Sequence, residues 1–510
     1  MYKRLFRKLN ANKVRANNEY EFTLSPQIEE TVASVKSIIG ESDDIVQRKF
    51  LIGKKFKATL FYIDGLADET AIQENIIKPL IYFSEEGIKN LDEEQTLLQY
   101  LENEVVTFVE LSVVTSFDSA MLPFMSGETL LIIDGIPKLI LFETRSFNQR
   151  AIEEPVSEIT VRGPRDGFNE VLHTNVMLLR RRIRDPNLTI QFGQLGRRSK
   201  HDFALVYLKG VTNEDLVEEM RYRISCIDTD DVAETGNLEQ FIEDSVWSPF
   251  PQLLRTERPD KVVSHLLNGK IAVVMDNTPF VLLAPVTFEE YFKSPEDNYD
   301  RWHIGTLLRT LRYIAAFIAI FLPALYIAMV SYHQGMIPTT LALSIAGSRE
   351  GVPFPAFIEA FLMEVTIELL REAGVRLPGP LGQTIGIVGG LVIGDAAVRA
   401  GIVSPIMVIV VALTVIASFA LPAYNISITF RMIRFGVMLA AASFGLFGIV
   451  IMYILINTHL VGLRSFGSYY TSPFAPYQFS DWLDLVIRAP VSLQKKRPAE
   501  PKTKDTNKQA

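Results

Sequence analysis

The chain has 510 residues, a formal net charge of −8, one cysteine and six histidines. The acidic balance offers no footing for a nucleic-acid partner, the lone Cys226 rules out an intrachain disulfide or a multi-thiolate metal site, and the scattered histidines form no metal-ligand motif. Charged residues crowd before Arg312 and apolar runs follow Leu311, which splits the chain into about 300 soluble residues and about 150 of membrane character.

Residues 1–45 begin with Lys3, Arg4, Arg7, Lys8, Lys13 and Arg15. No apolar run follows them, so no secretory signal is expected. They read as a solvated tail or as a weak attraction to anionic lipid, followed by a helix from Pro26 to Ile39.

Residues 46–152 read as an α/β lobe. Phe56–Asp64 is a buried strand, Asp68–Phe83 a helix opening on acidic residues, and Gly127–Glu143 a hairpin turning at Asp134-Gly135. The same order returns in residues 201–300: strand Phe203–Gly210, helix Asn213–Ser225 and hairpin Gly269–Pro285. Gly127, Asp134 and Pro137 match Gly269, Asp276 and Pro279. Turn chemistry alone can produce one such match. Two in the same order predict an internal duplication, two lobes with one strand order.

Residues 153–200 form an arginine-rich linker. Arg162-Gly163-Pro164-Arg165 precedes a helix ending in Arg180, Arg181, Arg182 and Arg184, where cations complement the helix dipole. These arginines read either as structural partners of Glu153, Glu154 and Asp166, or as a docking surface formed by Arg162, Arg165, Arg180 and Arg181 toward lobes, subunits or lipid headgroups. No Walker A, Rossmann glycine fingerprint or GxSxG elbow occurs, so an enzyme is the class with least support, and no cofactor or metal is implied.

Residues 301–460 read as a transmembrane domain of four or five spans plus an amphipathic helix at 353–374. Leu311–Val330 is long enough to span; Pro323 inside it frees a carbonyl that neighbouring groups must satisfy. Arg301, Arg309 and Arg312 before it keep the soluble half cytoplasmic. Glu364, Glu368 and Glu372 form an acidic stripe on the amphipathic helix, too costly to face lipid. It lies at the interface, pairs with Arg371, or faces a cation path. Gly382, Gly386, Gly390 and Gly394 fall along one face of the next apolar segment and permit close helix packing. Thr384, Ile387, Val388, Leu391 and Val392 on that helix are the candidate pore or gate residues, closing by dewetting. Asp395 and Arg399 can pair at i,i+4. Ile402–Leu421 and Ile433–Ile456 complete the spans, with Arg431 and Arg434 on the wrong side for the charge rule. Residues 461–510 are a tail whose basic end is expected to be disordered. The fold class is thus an α/β soluble N-terminal region of two similar lobes followed by an all-α multi-pass membrane domain.

Tyr62–Leu66 (YIDGL), Val161–Phe168 (VRGPRDGF), Asn175–Arg182, Pro249–Gln252, Thr256–Asp260 (TERPD), Pro353–Pro355, Arg371–Pro378 and Gln383–Ala400 resemble, in order, the A subunits of spore germinant receptors, the GerA family. The resemblance runs from about Ser37 to about Gly462 and extends to the sister SpoVAF group. It implies a multi-pass protein of the spore inner membrane acting with a transporter-like B subunit and a lipoprotein C subunit. It also implies a homo-oligomer, a pentamer, that conducts monovalent cations when nutrient binds. A non-conducting scaffold and a SpoVAF-type amplifying channel are the alternatives. A secondary transporter would need inverted repeats and broken midplane helices, for which four or five spans leave little room.

Overall fold

The computed structural model describes residues 22–82, 110–146, 153–376, 390 and 392–509. Its first half holds two five-stranded sheets. In the first, β1 (Ile45–Ile52), β2 (Phe56–Ile63), β3 (Leu111–Val114), β4 (Thr129–Ile133) and β5 (Leu139–Phe142) are ordered β1-β2-β4-β5-β3. In the second, β6 (Leu188–Leu195), β7 (His201–Leu208), β8 (Leu254–Thr256), β9 (Ile271–Met275) and β10 (Val281–Ala284) are ordered β6-β7-β9-β10-β8. The two orders are the same, and every pairing is antiparallel.

Period-two burial explains the layers. Phe61, Ile63, Leu130, Ile132, Leu139 and Leu141 enter the main core, while Ala58, Leu60, Leu131, Ile133, Ile140 and Phe142 form a second core on the opposite face. In the second sheet Val206, Val274 and Leu283 join the same main core, and Leu205, Val273 and Leu282 face away from it. Helices α1 (Ile28–Ile39), α2 (Phe117–Met125) and α3 (Leu172–Arg182) cover the main-core face, and α4 (Glu214–Ser225) covers the outer face of the second sheet.

Neither α1 nor α3 carries a capping side chain of its own. Each is capped by a hairpin aspartate instead. Asp134 Oδ1 accepts from Ile28 N (3.2 Å), and Asp276 Oδ1 accepts from Leu172 N (2.9 Å). The expected hairpin turn at Asp134-Gly135 is present, closed by Ile136 N donating to Ile133 O (3.2 Å), within a connection from the end of β4 at Ile133 to the start of β5 at Leu139. The helix expected over Asp68–Phe83 spans Glu69–Ile81 and contains a π turn at Ile72–Ile77. Gly193 lies inside β6 opposite Phe203, whose ring fills the space a Cβ would need.

The second half is helical. Its elements are α5 (Pro259–Leu267) at the end of the soluble half, then α6 (Trp302–Ser331), α7 (Thr339–Arg349), α8 (Ala356–Arg376), a helical stretch at 392–399, α9 (Pro405–Phe419) and α10 (Tyr424–Gly462). Among the described residues, α6 and α10 are long and apolar enough to cross a membrane, and α9 is apolar but shorter. The foot of α6 is fastened to the soluble half. The fully buried Asp297 accepts from Arg309 Nε (3.1 Å) and Arg312 Nη1 (2.7 Å).

The last span, expected at Ile433–Ile456 as one helix, is different. Helix α10 has 39 residues and breaks at Gly445, where φ is 60° and ψ is −140°. A Cβ there would lie 2.7 Å from His333 Cε1, and L side chains avoid that backbone region. Past the break the chain folds back: a Cβ on Gly448 would overlap the Ala440 carbonyl, and one on Gly436 would touch Met452 Cε at 3.5 Å. Both ends of α10 return to the soluble half, with Thr429 Oγ1 donating to Pro249 O (2.6 Å) and His459 Nε2 beside Ser248 Oγ (2.9 Å). Residues 464–509, whose basic end the composition reads as disordered, pack on the second sheet region: Ser465 Oγ donates to Gln252 O (2.8 Å) and Lys504 N to Val211 O (3.2 Å).

Candidate functional site

Three carboxylates and four guanidiniums meet inside the helical half. Glu359 and Glu364 on α8 are fully buried, and Arg434 on α10 is 1% exposed. Charges in such a place are stable only when paired and hydrogen-bonded.

Proline chemistry explains the position of Arg434. Pro323 in α6 has no N–H, so the carbonyl four residues earlier, Ala319 O, loses its helical donor. Arg434 Nε donates to that oxygen at 2.7 Å. The same guanidinium donates through Nη1 to Glu364 Oε2 (2.5 Å) on α8 and through Nη2 to Ser418 Oγ (2.9 Å) on α9. One side chain therefore joins α6, α8, α9 and α10. One turn away, Arg431 Nη1 donates to Glu368 Oε2 (2.9 Å), whose Oε1 also accepts from Arg371 (3.0 Å). At the other end of α8, Glu359 accepts from Arg349 Nη2 (2.8 Å) and from Ser404 N (3.0 Å), which heads α9.

Within the chain the acidic stripe thus faces arginines. Glu364 and Glu368 turn toward α10, and Glu372 pairs with Arg376 at 2.6 Å on an exposed face. The wrong-sided Arg431 and Arg434 are internal partners and take no part in a loop-charge count. Glu359 and Arg349 are absent from the sequence reading. The available signal was a charge inventory: two acids one turn apart on one apolar helix, two arginines one turn apart on another, each in need of a partner.

Of the glycine and pore candidates, Gly382, Thr384, Gly386, Ile387, Val388 and Leu391 lie outside the described residues. A Cβ on Gly390 would meet nothing within 4 Å, and one on Gly394 would touch Val408 at 3.8 Å. Val392 is 56% exposed. Asp395 and Arg399 pair at 2.8 Å, both exposed.

The linker arginines have separate fates. Arg180 is fully buried between the two sheets' regions, held by Asp44 (2.9 and 2.8 Å) and Ser42 (2.9 Å), so it presents no outer surface. Arg165 pairs with Glu154 (3.1 Å), Arg162 with Asp300 (3.3 Å) and Arg182 with Asp166 (2.5 Å). Arg181 is exposed. The TERPD segment cradles this linker: Arg258 donates to Glu158 O (3.1 Å), Thr160 Oγ1 (2.9 Å) and Pro164 O (2.9 Å), and Glu257 Oε2 accepts from Val156 N (2.8 Å). No group of three His, Cys, Asp or Glu among the described residues is placed to hold a metal.

Residues 33–500 match the family model described as Bacillus/Clostridium GerA spore germination protein. The chain is 45% identical to spore germination protein GerLA of Bacillus cereus over 478 residues, covering 94% of this chain and 96% of that one. It is 42% identical to spore germination protein KA of Bacillus subtilis (strain 168) over 488 residues, covering 95% and 89%. Among solved structures it is similar to the N-terminal domain of the A subunit of the Bacillus megaterium spore germinant receptor GerK3, at 34% identity and a TM-score of 0.42, over 52% of this chain and 98% of that one.

Proposed function

This chain belongs to the GerA family of spore germination proteins, and from that membership we propose that it is the A-type subunit of a nutrient-sensing germinant receptor, forming an oligomeric cation channel in the spore inner membrane. The observation that carries the channel reading is the contrast between two neighbouring elements. Glu364 and Glu368 of α8 are each ion-paired to an arginine within the chain, whereas Gly390, Val392 and the exposed Asp395–Arg399 pair are left bare. A charged pair on a glycine-bearing helix is costly against lipid. Sister copies around a wetted axis, five on the family resemblance, shelter it and place Thr384, Ile387, Val388, Leu391 and Val392 toward the pore.

The repeated strand order supports two similar α/β lobes. The break in α10 supports a multi-pass arrangement. Unbroken, 39 residues would run about 58 Å, nearly twice the hydrocarbon thickness of about 30 Å. Broken at Gly445, its two arms are about 31 and 26 Å long, each close to one crossing. Both ends of the helical half then lie on the soluble side, which is cytoplasmic by the Arg301, Arg309 and Arg312 flank. A transporter-like B subunit and a C lipoprotein are the partners. No catalytic or cofactor role is proposed.

The internal neutralisation of Glu364 and Glu368 favours a second reading, a receptor scaffold without conduction. Single-channel recording of the purified protein in lipid, with the assembly mass measured in parallel, separates the two. An oligomer passing monovalent cations is expected, with added leak in Val388→Ala and Val392→Ala. A solitary protein with no current would sink the channel reading.

A further inference from the structure

A loop of the second lobe holds a tryptophan almost wholly in the open. Trp247 is 97% exposed and its neighbour Val246 is 63% exposed. The five residues at this tip, Ser245–Pro249, carry no charge. The loop is clasped at its base: the buried Gln252 accepts from Ser245 N (2.9 Å) and donates to Ser245 O (2.7 Å). Pro249 and Pro251 fix two further backbone angles. A large apolar ring held outward on an ordered loop gives the fold no packing, and an interaction site is the use left for it.

The residues beside the tip identify what surrounds it. Ser248 Oγ lies 2.9 Å from His459 Nε2, three residues before α10 ends at Gly462. Pro249 O accepts from Thr429 Oγ1 (2.6 Å), five residues after α10 begins at Tyr424. At 1.5 Å per residue these contacts sit about 5 and 8 Å from the ends of the two arms. A bilayer of about 40–45 Å with a hydrocarbon core of about 30 Å has headgroup layers of that same depth, about 5–8 Å on each face. Tryptophan and tyrosine are enriched in that layer, where an amphipathic ring meets both apolar and wet surroundings. The small hairpin after α10 joins the loop there, with Phe466 N donating to Asp244 Oδ2 (2.6 Å). Its exposed Arg464 lies 3.7 Å over the ring of the exposed Tyr469, a cation and a phenol at the mouth of the crossing. A crossing helix has lipid headgroups at its mouth whatever else the protein assembles with.

We propose that Trp247 and Val246 enter the headgroup layer of the bilayer and hold the second lobe against the membrane surface where the two arms of α10 emerge. The anchor rests on the reading that α10 crosses the membrane in two arms. It is independent of conduction, and its test needs no current.

The test uses the full-length protein in phosphatidylcholine–phosphatidylglycerol vesicles whose phosphatidylcholine is brominated either just below the headgroup or near the chain end. Bromine quenches tryptophan fluorescence only at close contact. With Trp302→Phe and Trp482→Phe, Trp247 is the one tryptophan left. The upper bromines should quench it about twice as strongly as the lower ones, or more. The difference between wild type and Trp247→Phe, altered only at the exposed tip, gives the same reading should the double variant misfold. Ile454→Trp, at the middle of the second arm and 56% exposed, is added to the wild type and reports the crossing itself; the lower bromines should quench it more. Ile454→Trp quenched with Trp247 untouched by either lipid would overturn the anchor and leave the crossing standing. Neither position quenched would overturn both. Trp247 shielded from aqueous acrylamide yet unquenched by brominated lipid would mean that a second copy covers it, and would also overturn the assignment.

Discussion

Replacing Arg434 with Met tests the four-helix junction most directly. The change leaves Glu364 buried without its cation and Ala319 O without a donor. Breaking a buried ion pair by removing one partner costs about 3–5 kcal/mol, and an orphaned buried carbonyl about 1–3 kcal/mol more when the two do not compensate. Even about 4 kcal/mol in total is close to a thousandfold in the folding equilibrium. Two second-site changes should each recover part of this. Glu364→Leu removes the stranded charge, and Pro323→Ala returns an N–H to Ala319 O along α6. The assay is the fraction of protein surviving as a monodisperse gel-filtration peak after heating in detergent, read across a temperature series. The expected order is wild type, then Arg434→Met with Glu364→Leu, then Arg434→Met alone. If Arg434→Met stays within about 1 kcal/mol of wild type, or the double variant is no better than the single, the junction does not hold these helices together and the reasoning fails.

Gly445→Val should destabilise α10 by about 1–3 kcal/mol, because a β-branched residue meets both the +60° φ and the His333 ring; limited proteolysis near His333 reports it, and wild-type resistance would remove the fold-back. Gly390→Leu should leave the single chain folded, since open space surrounds that position, yet block assembly; oligomers of normal mass would exclude close packing there. Burial lifts the Glu239 carboxyl to about 7, with Arg255 opposing. The folded state therefore holds a proton that the unfolded chain has released, and stability should fall as pH rises from about 4.5 to 7, by about 3 kcal/mol at most. Glu239→Gln should flatten that slope in a thermal melt series, and an unchanged slope would refute the shift.

Much of the local architecture was legible in the residues. Alternation over Phe56–Ile63 and His201–Leu208 marks strands because one face of each must enter a core and the other a second core. Asn213 heads α4 as its type suggests, accepting from Asp215 N at 3.1 Å. All four edge strands escaped notice: β3 and β8 because three or four residues carry too little period to register, and β1 and β6 because their eight residues mix polar and apolar side chains. Arg180 could not be told from its neighbours Arg181 and Arg182, because all three sit on one short helix and only the approach of Asp44 selects which is buried.

Composition and periodicity by themselves determined an acidic α/β half, an apolar helical half, the proline that frees a carbonyl and the acids that need partners. These are properties of a residue and its near neighbours, set by turn geometry, pleat and transfer cost. Only the tertiary structure decided that Arg434, 115 residues beyond Ala319 and 70 beyond Glu364, answers both needs at once, and that a glycine turns one long helix into two arms. Such partners are chosen by packing across the whole chain, where an unmet carbonyl and an unmet carboxylate are satisfied by whichever donor the fold brings within reach.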